Sequence, residues 1–105
     1  MRSSKNYDVQ ISDAAVMMLD SHVEFLARVS QAAAARLMDT ILDDIASLSA
    51  NPERFPAFVS SFISNNRYRK MLSAKRYLIL YEIDYPNVFV DFIIDCRQDY
   101  EWLVH

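Results

Sequence analysis

Two spacings of apolar residues divide the chain. Tyr7-Asp8-Val9-Gln10-Ile11 alternates apolar and polar side chains, the period of a short half-buried strand. From Ser12 the period lengthens. Ser12 and Asp13 supply a helix N-cap and a first-turn acid. Val16, Leu19, Val23 and Leu26 follow at helical spacing, Met18 and Phe25 widen the apolar face, and the pattern predicts a helix ending near Val29. Ser30 caps a second helix. There Ala34, Leu37, Met38, Ile41, Leu42, Ile45 and Leu48 recur at three and four residues, while Arg36, Asp39, Asp43 and Ser47 take the other side. Asn51-Pro52 ends it, because the residue before a proline is pushed out of the helical region. So short a link predicts an antiparallel helical hairpin. Met17, Met18 and Met38 read as helix-face core.

Pro52, Pro56 and Asn65-Asn66 punctuate the next stretch, whose Phe55, Phe58, Phe62 and Ile63 are expected to pack partly on the core. The period then falls to two, predicting strands over 67–73, 76–84 and 87–95. Tyr85-Pro86-Asn87 joins the last two, with Pro86 and Asn87 as the central turn residues. Tyr77-Leu-Ile-Leu-Tyr81 is apolar on both faces, as a central strand requires. The order β-α-α-β-β-β predicts an α+β fold, a two-layer sandwich with the antiparallel helix hairpin packed on a small, mostly antiparallel sheet. A single domain over residues 1–105 is expected.

Composition removes whole function classes. The chain has no glycine, so it holds no P-loop, no G-x-G-x-x-G dinucleotide turn and no nucleophile elbow. Any left-handed helix cap must fall on asparagine or an irregular turn. One cysteine, Cys96, excludes an internal disulfide and points to a reducing, cytoplasmic compartment. With Cys96, two histidines offer too few ligands for a structural zinc, and neither a metal nor a cofactor is expected. No apolar run approaches the roughly 20 residues of a membrane span, and Met1-Arg-Ser-Ser-Lys-Asn6 lacks the apolar core of a signal peptide.

The net charge of −3 is unevenly spread. Residues 54–81 hold Arg54, Arg67, Arg69, Lys70, Lys75 and Arg76 and no acid, while the segments on either side are acidic. Such a basic segment suits phosphate or an acidic partner. Cys96 reads as a small buried residue, His22 as a surface residue of the first helix, and Tyr77 and Tyr81 as packing groups on one sheet face.

Two stretches carry a family resemblance: Tyr68-Arg-Lys-Met-Leu-Ser-Ala-Lys-Arg-Tyr-Leu-Ile-Leu-Tyr-Glu-Ile-Asp84 and Val90-Asp-Phe-Ile-Ile-Asp-Cys-Arg-Gln-Asp-Tyr100. A basic strand ending in leucine, a short turn, a Tyr-x-x-x-Tyr strand and a closing Arg-x-x-Tyr, with Asn51-Pro-Glu-Arg-Phe-Pro56 upstream, resemble the RelE/ParE superfamily of type II toxin–antitoxin systems, the plasmid-stabilisation toxins. The resemblance implies a small toxin held inactive by a cognate antitoxin in a hetero-oligomer. It further implies growth arrest by one of two routes: mRNA cleavage on the ribosome, or non-enzymatic inhibition of DNA gyrase. A third possibility is a degenerate member that only binds its antitoxin.

Ribosome-dependent mRNA cleavage is the first expectation. As a metal-independent RNA endonuclease, the chain would neutralise the scissile phosphate with Arg69 and Arg97, with Tyr100 placing a proton and Arg67, Lys70, Lys75 and Arg76 anchoring the nucleic-acid backbone. The superfamily's basic positions fall here on Arg69, Met71, Leu78 and Arg97, and Met71 and Leu78 neither bind phosphate nor move a proton. The antitoxin is expected in the groove where the helices meet the sheet and on the basic segment, Arg69 and Lys70 included, which suits an acidic tail.

Overall fold

The structure, a computed structural model, describes residues 6–58 and 67–96. Among these, the elements run β1 (Asp8–Ile11), α1 (Asp13–Ala27), α2 (Gln31–Ala46), two single 3-10 turns (Ser47–Ser49 and Pro52–Arg54), β2 (Tyr68–Ser73), β3 (Tyr77–Asp84) and β4 (Asn87–Asp95). This is the α+β order that the periods predict. The two serine caps form as expected: Ser12 Oγ accepts from Ala15 N at 3.0 Å and Ser30 Oγ from Ala33 N at 3.1 Å, each contributing about 1 kcal/mol. The second helix stops at Ala46, short of Asn51, and tightens into a 3-10 turn. Asn51 takes the left-handed conformation, with φ 52°.

The sheet order is β1-β4-β3-β2. The first strand crosses to the far edge and runs parallel to β4, while β2–β3 and β3–β4 are antiparallel hairpins. Ser12 ties this crossover down, its backbone N–H donating to Val90 O at 2.9 Å. Between β3 and β4 the register slips by one residue: Leu80 faces Phe92 and Tyr81 faces Val90, so Asp91 is a bulge. The bulge reverses the faces of β4. Val88 and Val90 before it and Ile93 after it join Ile79, Tyr81 and Met71 against the helices. Phe92 and Ile94 turn to the opposite face, where they cluster with Leu78, Leu80, Tyr68 and Phe58.

The stripe of α2 is buried as expected, whereas on α1 the buried positions shift in part from the expected ones. Ala15 and Leu19 of α1 are buried, whereas Val16, Met17 and Phe25 are exposed, Met17 to 70%. Ala15, Leu19, His22 and Leu26 recur at four, three and four residues, so the small Ala15 lets α1 approach the sheet closely and His22 takes the place expected of an apolar residue. From α2, Leu37, Ile41 and Ile45 complete the core. No helix among the described residues is long and apolar enough to cross a membrane.

Both hairpin turns depart from simple expectation. The β3–β4 turn has Tyr85 and Pro86, not Pro86 and Asn87, as its central residues, because Asn87 already pairs with Asp84; the Tyr85–Pro86 peptide is cis. The β2–β3 turn closes with Arg76 N donating to Ser73 O at 3.3 Å, and its central residues Ala74 and Lys75 have φ of 51° and 69°. Without glycine, this left-handed pair is built from residues that pay about 1 kcal/mol or more each for that conformation. Lys75 is exposed. Lys75→Gly is therefore expected to raise stability by about 0.5–1 kcal/mol in urea unfolding, and Lys75→Val to lower it.

Candidate functional site

The expected site rests on β2, and strand alternation decides what each of its side chains can reach. The register places Arg69, Met71 and Ser73 opposite Tyr81, Ile79 and Tyr77, on the helix-facing side. Tyr68, Lys70 and Leu72 lie opposite Glu82, Leu80 and Leu78 on the other side. The superfamily's cation positions are thus split: Met71 is buried against the helices, and Leu78 is half-buried on the opposite face.

Arg69 has a structural assignment. One guanidinium nitrogen donates to Phe55 O at 2.6 Å and to Glu53 O at 3.1 Å. The same loop is gripped from three more directions. Tyr81 Oη donates to Pro52 O at 2.6 Å from a fully buried ring. Tyr7 Oη donates to Glu53 Oε2 at 2.5 Å. Arg54 donates to Ala50 O at 2.7 Å and Asn51 O at 3.0 Å, its guanidinium lying 4.6 Å from the Phe55 ring centroid. Burial pushes the Tyr81 hydroxyl up to about 12, with Arg69 and Arg54 opposing that shift. Beyond this loop, residues 56–58 pair with the outer edge of β2: Phe58 N donates to Tyr68 O at 2.7 Å and Lys70 N to Pro56 O at 3.0 Å.

The other expected nucleic-acid contacts do not form one patch. Arg67 is paired with Glu82. Lys70 is exposed on the strand face away from the helices, Lys75 is exposed at the turn, and Arg76 points back toward the helices with its guanidinium 6.0 Å from the Tyr77 ring centroid. Arg97 and Tyr100 lie outside the described residues. On the face that carries Lys70, Tyr68 Oη donates to Asp91 Oδ2 at 2.6 Å, so the bulge residue has a partner. Burial first, then this bond, raises the Tyr68 hydroxyl well above the ordinary tyrosine value.

Two smaller expectations are corrected. Cys96 is exposed, because the inward positions of β4 end at Asp95. Partial desolvation and Asp95 raise its thiol, which disfavours the reactive thiolate. His22 is half-buried, its Nε2–H donating to Ile93 O at 2.8 Å and its ring 5.2 Å from that of Tyr77. With Ser21, Phe25 and the buried Asp95, His22 and Tyr77 line a cavity of about 120 Å³. Tyr77 and Tyr81 are packing groups, as expected. No group of three or more potential metal ligands occurs among the described residues.

Comparison with known proteins adds the remaining observation. Residues 9–100 match the family model described as the ParE toxin of the type II toxin–antitoxin system parDE. Among solved structures, a chain of the chromosomal ParDE TA system from P. aeruginosa is similar, with a TM-score of 0.71 at 11% sequence identity, covering 88% of this chain and 98% of that one. At that identity the likeness concerns the fold alone. None of the curated proteins matches.

Proposed function

The chain belongs to the ParE toxin family of type II toxin–antitoxin systems, and on that premise we propose that it arrests growth by binding DNA gyrase in the cytoplasm, under the control of a cognate antitoxin. The observation that carries this reading is the engagement of Arg69. Cleavage of mRNA needs cations free to meet a pentacoordinate phosphate. Here the Arg69 guanidinium spends donors on two loop carbonyls, and the neighbouring position on its face is the buried Met71. Inhibition by binding makes no such demand and tolerates methionine and leucine where a nuclease wants cations.

The test has two arms. Toxin released from its antitoxin is added to a gyrase supercoiling assay, and cellular mRNA 5′ ends are mapped after induction without antitoxin. Loss of supercoiling with unchanged 5′ ends is the expected result. New codon-phased 5′ ends with normal supercoiling would return the reading to ribosome-dependent cleavage by Arg97, Tyr100 and their neighbours. Continued growth with neither effect would identify a member that only binds its antitoxin.

A further inference from the structure

The sheet has two edges, and the fold treats them differently. Along β2 the outer edge is taken by residues 56–58 and carries the exposed Lys70, both of which keep sheets from pairing with one another. The β1 edge has neither. Asp8 N donates to Pro86 O at 2.8 Å and Ser12 N to Val90 O at 2.9 Å, both across the parallel pair with β4. By alternation the N–H and C=O groups of Val9 and Ile11 point the other way, off the sheet, and they meet no partner among the described residues. An added strand can satisfy such a row. Beside it lies an open cavity of about 420 Å³ lined by Val9, Ile11, Leu42, Ile45, Ala46 and Ser49. None of these side chains is charged, and Leu42 is 40% exposed.

We propose that this edge joins two copies of the chain, β1 pairing antiparallel with β1 of the second copy about a two-fold axis at Gln10. That register places Val9 opposite Ile11 of the second copy and Ile11 opposite its Val9, so every outward N–H of the two residues meets an outward carbonyl. Asp8 falls opposite Ser12, and no like charges face each other directly. Other registers fit less well. An axis at Val9 would set Ile11 against Tyr7, whose N–H is already given to Ser49 O at 2.9 Å. An axis at Ile11 would set Val9 against Asp13, the first residue of α1. The two-fold at Gln10 also brings the two uncharged cavity walls together on the helix side of the joined sheet. A neutral, self-complementary edge suits a second copy. An acidic antitoxin tail or a nucleic acid would find no cation among the lining residues. The proposal concerns the toxin before any partner is bound and does not depend on its target.

Sedimentation equilibrium on the purified full chain, together with a register-specific crosslink, tests this. A monomer–dimer equilibrium in the micromolar range is expected, because a short interface is a weak one. Val9→Pro removes an outward N–H without touching the bonds to β4 and is expected to weaken the dimer about tenfold or more. Leu42→Lys, at an already exposed position, is expected to do the same, and Leu72→Lys on the β2 edge to change nothing. Thermal melts verify that each variant is folded. In a Cys96→Ser background, Gln10→Cys is expected to give a disulfide-linked dimer under mild oxidation, because directly opposed residues of a non-hydrogen-bonded pair lie about 4.5 Å apart at Cα. Asp8→Cys is expected not to, since the same register separates its two copies by about 13 Å along the strands. A chain that stays monomeric at about 100 μM, a dimer that Val9→Pro and Leu42→Lys leave intact, or crosslinking of Asp8→Cys in preference to Gln10→Cys would overturn the proposal. So would a monomeric toxin whose antitoxin binding is lost in Val9→Pro, which would give the edge to the antitoxin.

Discussion

Arg69→Met is expected to destabilise the protein by about 2 kcal/mol, the net value of hydrogen bonds from a charged donor to carbonyls that then lose their partner. Methionine keeps most of the aliphatic volume, so the loss isolates the guanidinium's bonds to Glu53 O and Phe55 O. These bonds hold the loop between α2 and β2, the same loop that Tyr81 reaches through Pro52 O. The measurement is a urea titration of the purified toxin. The midpoint should fall while the slope stays constant, because the unfolded chain exposes the same surface. Lysine at this position should recover only part of the loss, since its ammonium has donors enough for both carbonyls but ends one bond short of the guanidinium nitrogen that makes them. The prediction also separates structural from chemical use of this residue. An unchanged midpoint together with lost toxicity would mean that Arg69 meets the target directly.

A larger loss is expected from Ile79→Ala, about 3–4 kcal/mol, the range for removing most of a large aliphatic side chain from a packed core. Ile79 is wholly buried at the centre of the sheet, paired with Met71 on one side and Ile93 on the other. Ile41 and Leu48 belong to the same cluster, so helix and sheet residues close over it together. A domain of this size holds about 5–15 kcal/mol in total, so the variant gives up a large part of its stability. Thermal melting followed by circular dichroism should shift down by roughly 15 °C or more. Leu72→Ala is the matched comparison, because Leu72 is 59% exposed on an edge strand and should change little. A small shift for Ile79→Ala would mean that α1 and α2 do not close over the sheet as the structure has them.

The secondary structure was legible because its signals are local. Ser12 and Ser30 cap their helices through bonds spanning three residues, and Leu37, Ile41 and Ile45 lie on one face by helical geometry alone. Asn51 does take the left-handed conformation, but five residues beyond the end of α2 and not as its cap. The site was less legible. The basic run over 54–81 reads as one patch in sequence, yet pairing with Glu82, anchoring on the 53–55 carbonyls and strand alternation send its members to different places. Arg36, counted as an outward polar position, shares a cavity with Arg76, and no spacing rule joins residues forty positions apart.

What the sequence determined by itself was the order and kind of the elements, because period, caps and turn residues act within a few positions of the chain. Three matters were decided only by tertiary structure: the parallel seat of β1 against β4, the face each β2 side chain presents, and the reversal at Asp91 that turns Phe92 and Ile94 away from the helices. An alternating strand has two nearly equivalent faces. The choice between them, and the position of a bulge, follow from burying Ile79, Tyr81, Val90 and Ile93 together against two helices. That free energy belongs to contacts between residues far apart in the chain.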